Sequence, residues 1–305
     1  MSLQRTIKER IKMEGIDLPS GNPSRVFLYP APPDTGIVFE TPVEQIVACL
    51  DNTSAMTFPC KTLVLHGKKS RIAVPEHILA PLYAFGADNV YVKIEKTPSL
   101  TSRLFHYLGS ARNTYFMPHF GKELCEALES NLQEQGKNRR KLRLEEEIRT
   151  DKLVITSNET SDLRIYAQTD YKLAAGVHVR QKKEIIVSPE SIKEISTARN
   201  YCGTFSWAPK WLTKTIACFA FLSHGFGNGN DETNVFYPSR TRERWYAQEQ
   251  MQAEIACHTV LDRLGELALF QGELCGISLY CYGAGHKYAI ETLKKHQNKF
   301  KVVEN

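Results

Sequence analysis

Apolar and polar positions alternate over Arg25-Val-Phe-Leu-Tyr29 and Asn89-Val-Tyr-Val-Lys-Ile94, which predicts two strands, the first closed by the turn-forming run Pro30-Ala-Pro-Pro-Asp-Thr-Gly36. Between them Glu76 to Phe85 reads as a helix, with Pro75 near its first turn and Gly86 past its end. Pro81 inside that helix predicts a kink or a missing hydrogen bond. Leu124, Leu128 and Leu132 make a stripe at helical spacing, ended by Gly136 as a C-cap, and the polar, basic run Gln133 to Lys141 predicts a linker. A domain boundary placed there divides the chain into residues 1–136 and 137–305. Beyond it, residues 152–156, 163–167 and 184–187 are strand-like, and Ser188-Pro-Glu190 caps a helix over residues 189–198. Residues 248–270 predict the longest helix, with Cys257, Leu261, Leu264 and Ala268 as its apolar stripe. A strand over residues 276–282 and a last helix to about Lys295 complete a pattern of strands mixed with helices in two units, an α+β fold.

Composition narrows the class. A chain of 305 residues with 42% hydrophobic content can bury one large core or two smaller ones. The net charge of +5 suits an anionic ligand and gives no reason to expect nucleic acid. The basic run near residue 136 has two readings, a solvated linker or an anion site. The 8 cysteines lack the two-residue spacers of zinc ribbons and redox dithiols, and several, such as Cys218, sit in apolar runs. They read as free buried thiols of a reducing compartment. Arg5, Lys8, Arg10 and Lys12 are followed by no apolar segment, so no signal peptide is expected. The longest apolar run, residues 215–222, falls far short of the roughly 20 residues that span a bilayer. A soluble, cytoplasmic protein is expected.

The stretch Glu254-Ile-Ala-Cys-His258-Thr-Val-Leu-Asp262 sets a histidine and an aspartate four positions apart, so both side chains leave one helical face a turn apart. Alone, that spacing occurs by chance in many helices, where it is an exposed or hydrogen-bonded pair. Its partners are Glu76-His77, near the start of an earlier helix, and His286, behind the Gly283-Ala-Gly285 turn. If His77, His258 and Asp262 meet, two imidazoles and a carboxylate leave a tetrahedral zinc one open position for water, as in catalytic sites. Glu76, beside a ligand, is then the candidate general base. His286 is the candidate charged group that steadies an oxyanion or protonates a leaving amine. The reaction class is metal-assisted hydrolysis of an amide, with Zn2+ as the cofactor and Fe2+ admitted by the same donors. Plainer readings stand beside these: a surface helix pair for Glu76-His77, and a tight turn for the glycines around His286. His66, His106, His119, His178, His224 and His296 show no partner pattern and read as structural or surface residues.

Several segments, in chain order, resemble the UDP-3-O-acyl-N-acetylglucosamine deacetylase family, zinc enzymes that remove the N-acetyl group from a lipid A precursor. They are Gln4-Arg-Thr-Ile-Lys8, Gly15-Ile-Asp-Leu-Pro-Ser-Gly21, Pro30 to Phe39, and Glu76-His-Ile-Leu-Ala-Pro-Leu82 with Phe85-Gly-Ala-Asp-Asn89. Ser188 to Tyr201, His258-Thr-Val-Leu-Asp262-Arg-Leu-Gly-Glu-Leu267 and Gly285-His286 continue the series. The resemblance implies His77, His258 and Asp262 as zinc ligands, Glu76 as general base and His286 as the charged electrostatic or acid partner. It implies a site in the cleft between two similar domains, each a β-sheet packed on α-helices. The substrate would be an acylated UDP-amino-sugar, its chain held by an insert around residues 202–237. Thr259, Tyr201 and Cys60 are candidate substrate contacts, and the protein is expected to be a monomer with at most peripheral membrane contact.

The departures from the family lie around the substrate. Thr259 stands where the family has a lysine that meets a phosphate, and a hydroxyl keeps a hydrogen bond without the cation. Pro19 replaces a histidine, and Asn200 replaces a threonine that steadies the oxyanion, a role its amide retains as a candidate catalytic group. Three functions compete: the lipid A deacetylase, the same chemistry on a different N-acyl sugar, and a catalytically silent relative that binds a glycolipid or protein.

Overall fold

The computed structural model describes residues 2–16, 23–56, 61–95, 113–172, 178–201, 235–236 and 250–303. Two five-stranded sheets dominate it. The first runs, in spatial order, Ile11–Ile16, Pro23–Pro30, Val90–Glu95, Ile37–Glu40, Gln45–Val47, and the second Ile148–Arg149, Leu153–Ser157, Ile277–Tyr282, Leu163–Lys172, His178–Ile186. Each sheet uses its strands in the order 1-2-5-3-4, antiparallel throughout except for the parallel pairing of fifth with third. In each half the opening strand pairs antiparallel with the closing one, Leu3–Ile7 with Leu132–Asn138 and Lys141–Leu144 with Phe300–Val303. The two halves are thus repeats of one α+β unit.

Helices occupy matching places in the repeats. In the first half α1 (Glu76–Ala84) lies between the fourth and fifth strands and α2 (Gly121–Leu128) follows the fifth. In the second, α3 (Pro189–Ile195) and α4 (Glu254–Leu267) lie between the fourth and fifth strands, and α5 (His286–Lys295) follows. Apolar side chains of both halves join in one hydrophobic core, which includes Ile78, Leu79 and Leu82 of α1 and Val260, Leu261 and Leu264 of α4. No helix among the described residues is long and apolar enough to cross a membrane. Cys49, Cys125, Cys257, Cys275 and Cys281 are unpaired thiols, and Cys218 lies outside the described residues.

Local chemistry explains how the site-bearing helices begin and end. Val74 has φ of 65°, a left-handed conformation that is uncommon for a β-branched residue, and it swings the chain into Pro75 and α1. Pro81 removes one N–H yet does not end the helix. The turn continues to Ala84, the Phe85 N–H returns to the Pro81 carbonyl, and Gly86 exits at φ 65°. Ser188 and Ser191 form a reciprocal capping box at α3. Helix α4 starts later than its pattern predicts, because Ala253 is left-handed at φ 58°. Its first-turn N–H groups, Ile255 and Ala256, donate to the side-chain oxygen of Gln181 on the neighbouring sheet. It also ends sooner, at Leu267, before a single 3-10 turn over Ala268–Phe270.

The run predicted as a linker, Gln133 to Lys141, is instead strand over most of its length, and Leu132 belongs to that strand rather than to a helix. Its polar side chains are held by polar partners, which is why no apolar alternation marks it. Gln135 accepts from Asn89 and donates to the Ala31 carbonyl, while Arg139 bridges Asp88 of the first half at 2.9 Å and Glu273 of the second at 3.7 Å. The Arg139 cation is therefore committed to carboxylates and offers no anion site.

Arg199 anchors the head of α4. Its Nε and Nη2 donate to the two carboxylate oxygens of buried Glu254 at 2.6 and 2.8 Å, and backbone N–H groups of Arg199 and Gln250 add two more bonds. Burial raises the Glu254 carboxyl, but Arg199 and these backbone donors outweigh it and hold the group below its ordinary value. Removing one partner strands a buried charge, so Glu254→Ala is expected to destabilise the protein by roughly 3–5 kcal/mol in denaturant unfolding at neutral pH. A carboxyl lowered in the folded state stabilises above its ordinary value, and that contribution fades as pH falls through the folded value. The deficit of the variant should accordingly shrink below pH 4.5. A deficit under about 1 kcal/mol at pH 7 would show the pair to be energetically minor.

Candidate active site

Helix α4 carries His258, Asp262 and Glu266 at successive four-residue intervals, so the three share one face, and that face is buried. It meets α1 at Gly265, where a Cβ would stand 2.7 Å from the Cα, Cβ and carbonyl oxygen of Glu76. Only glycine permits that approach, and it sets Glu76 and His77 beside the α4 row. The His77 and His258 rings lie 4.8 Å apart, and His258 Nε2 is 3.4 Å from Asp262 Oδ1. The other nitrogen of His258 donates to the Ala198 carbonyl at 3.1 Å, which fixes the tautomer and leaves Nε2 as the acceptor facing the site.

His286, the first residue of α5, closes the far side. Its Nδ1 is 2.8 Å from Glu266 Oε1, and its Nε2 lies 3.6 Å from Glu76 Oε1 and 3.4 Å from Asp262 Oδ2. Glu266 also accepts from Arg263 Nη2 at 2.8 Å, and Arg263 Nη1 donates to the Ala284 carbonyl at 3.0 Å, which ties the turn before α5 to α4. Glu76 Oε1 accepts a hydrogen bond from Thr62 at 2.8 Å.

The electrostatics of this centre are set by burial. Burial pushes the Glu76 carboxyl up to about 7, with His286 opposing and Asp262 adding to the rise. The Asp262 carboxyl is raised to about 6 by burial, against the pull of His286 and Arg263. Glu266 is raised to about 7 by burial, with Arg263 opposing. Burial lowers His258 to about 4 and holds His77 well below the ordinary histidine range, with neighbouring imidazoles adding to the effect. Both imidazoles are thus neutral at pH 7, the form in which a ring nitrogen can bind a cation.

Buried polar atoms ordinarily have partners, and here a group of them does not. His77 Nδ1 and Nε2, Glu76 Oε2, Asp262 Oδ1 and His119 Nε2 are buried without a hydrogen bond. Among the described residues, two sets of donors are compact enough to hold a metal ion, Glu76–His77–Asp262 and His77–His119–His258, and they share His77. Neutral imidazoles and carboxylates with unfilled lone pairs suit a divalent cation, so the residues fit one.

Five residues singled out from sequence, Glu76, His77, His258, Asp262 and His286, converge here. Asn200 sits at the edge on the short strand Asn200–Tyr201, its side chain reaching towards His77 and its amide nitrogen buried without a hydrogen bond. Tyr201 is placed by its backbone, paired with Phe236. Thr259 is buried in α4 with its hydroxyl donated to the Ile255 carbonyl at 2.9 Å. Cys60, Pro19, His106, His224 and most of the 202–237 insert lie outside the described residues.

Two participants were not singled out from the sequence as site residues. Glu266 had a detectable signal, since it continues the His258, Asp262 series by one more turn. His119 is corrected from a structural or surface residue to a member of the cluster, its ring 4.2 Å from that of His77. Nothing in its local sequence, Pro118-His119-Phe120, indicates this, because the contact comes from long-range pairing.

A carboxylate facing a braced histidine, beside a set of unfilled donors at the meeting of two repeated halves, is the constellation of a hydrolase. The sequence pattern of the UDP-3-O-acyl N-acetylglycosamine deacetylase family matches residues 4–297, and the chain belongs to that family. Among similar proteins are the UDP-3-O-acyl-N-acetylglucosamine deacetylases of Brucella melitensis biotype 2 (strain ATCC 23457), Brucella ovis and Brucella abortus (strain S19). Each is 25% identical over 313 residues, covering 99% of this chain and 98% of the relative.

Gly265→Ala tests the helix crossing. The added methyl must displace the backbone at Glu76, and we expect a loss of about 1–3 kcal/mol in unfolding stability, as overpacking commonly costs. Hydrolytic activity should fall by a larger factor than stability alone explains. Unchanged activity and stability would show that α1 and α4 can separate without disturbing the site.

Proposed function

We propose that this chain hydrolyses the N-acetyl amide of an acylated UDP-amino-sugar in lipid A biosynthesis, releasing acetate, and that it does so with a bound divalent metal, Zn2+ or Fe2+. The observation that carries the reading is the set of buried, unpartnered donor atoms beside a carboxylate base and opposite a histidine braced by Glu266. His77, His258 and Asp262 would hold the ion. When bound, such an ion polarises an amide carbonyl and makes water more acidic.

The remaining work falls to the side chains. Glu76 takes a proton from the attacking water, and its buried carboxyl, with a value near neutrality, is matched to that task. His286 is held by Glu266 through Nδ1, so its Nε2–H points at the space between Glu76 and Asp262, where it stabilises the oxyanion and hands a proton to the leaving amine. The buried amide of Asn200 supplies a further donor beside His77. The substrate enters the cleft between a domain of residues 1–136 and one of residues 137–305, where Tyr201 and Cys60 contact it. The protein acts as a cytoplasmic monomer.

A second reading, the same hydrolysis on a different N-acyl sugar, is favoured by Thr259. Its hydroxyl is satisfied within its own helix, so the position offers a diphosphate neither a cation nor a free donor.

Metal analysis combined with acetate release separates these readings. One equivalent of metal with acetate released from the acylated UDP-sugar supports the first, and release only from sugars lacking the diphosphate supports the second. Metal retained without turnover on any N-acyl sugar refutes both. Glu76→Gln should lower turnover by a factor on the order of 100 or more, as loss of a general base does, with metal content unchanged. His286→Ala should likewise lower turnover far more than metal content, and parallel loss of both would reassign it as a ligand.

A further inference from the structure

His119 is the one member of the cluster to which the hydrolysis gives no task. It lies between Phe116, the end of a strand, and Gly121, the start of α2, and it is partly exposed while its Nε2 is buried with no hydrogen bond. Its ring centroid is 4.2 Å from that of His77 and 6.3 Å from that of His258. One nitrogen from each of these rings lies within 4.8 Å of one from each of the others. The Ala198 carbonyl that accepts from His258 also faces His119, so a single backbone group orients two of the three rings.

The His77 ring is tilted 44° to that of His119, and both nitrogens of His77 and Nε2 of His119 are buried without a hydrogen bond, a deficit that buried polar atoms rarely show. A shared cation removes the deficit. We propose that His119 is a metal ligand in this chain, completing a three-imidazole donor set with His77 and His258. The proposal rests on the metal reading given above and goes beyond its two-imidazole set.

A third imidazole has consequences that can be measured without turnover. It replaces part of the hydration of the ion, raises affinity, and moves the site towards metals that favour nitrogen donors. It would also add a ligand from the chain just before α2 to those carried by α1 and α4.

Zinc-loaded full-length protein, examined by X-ray absorption at the zinc edge, is expected to show three imidazoles, and His119→Ala two. Competition with a chelator should show zinc held more weakly in the variant, by more than the roughly 10–100-fold that loss of an outer-shell partner costs. Far-ultraviolet circular dichroism of the metal-free variant establishes that it is folded. The count in the unmodified protein does not depend on any variant. Two imidazoles there, with equal zinc affinity in His119→Ala, would overturn the assignment of His119 and leave the hydrolase reading intact. Failure of the unmodified protein to hold zinc at all would overturn both.

Discussion

Everything at the site follows from how closely α1 and α4 approach. The crossing point is Gly265 against the backbone of Glu76, with no side chain between them. Side chains that flank the crossing converge, so His77 on one helix meets His258 on the other, and Glu76 faces Asp262 across the gap. A larger residue at 265 would spread the helices by about the width of a methyl group, and hydrogen-bonding and ligand distances tolerate only a few tenths of an ångström. The helices are held in that approach by a core shared between both halves. The packing of apolar residues thus sets the geometry of polar ones.

The polar groups brought together this way would be unstable without one another. Burying an ionisable group is costly unless it is paired or neutral, and this centre uses both remedies. Arg263, Glu266 and His286 form a braced chain, and Arg199 with Glu254 forms another at the head of α4. The remaining imidazoles are kept neutral by burial. Beside the braces, both nitrogens of His77, Glu76 Oε2 and Asp262 Oδ1 are buried and unfilled. A centre built so is rigid where it is supported and unsatisfied where a ligand is expected.

Much of this was legible along the chain. The helices at 76–84 and 286–295 and the strands at 23–30 and 277–282 followed from period and caps, because their apolar residues face one core. The five converging residues were found because helical spacing is a local property and because ordered motifs tied distant segments together. What was not legible is non-local or polar. The strand Leu132–Asn138 shows no alternation because its contacts are hydrogen bonds, such as those of Gln135. The four-stranded sheet containing Ser70–Ala73 and Asn113–Phe116 is short and pairs across some forty residues, and that pairing carries His119 to His77. Glu266 was within reach, as the third step of a visible ladder.

The shared strand order of the halves gives the site a lineage as well as a location. Helices α1 and α4 fill the same slot in the two repeats, each between the fourth and fifth strands of its sheet. The centre therefore lies where corresponding helices of two like units pack together, much as like surfaces meet in an isologous dimer. Fusion of two such copies into one chain releases each from matching the other. One of the paired helices came to carry Glu76 and His77 at its head, and the other the ladder of His258, Asp262 and Glu266.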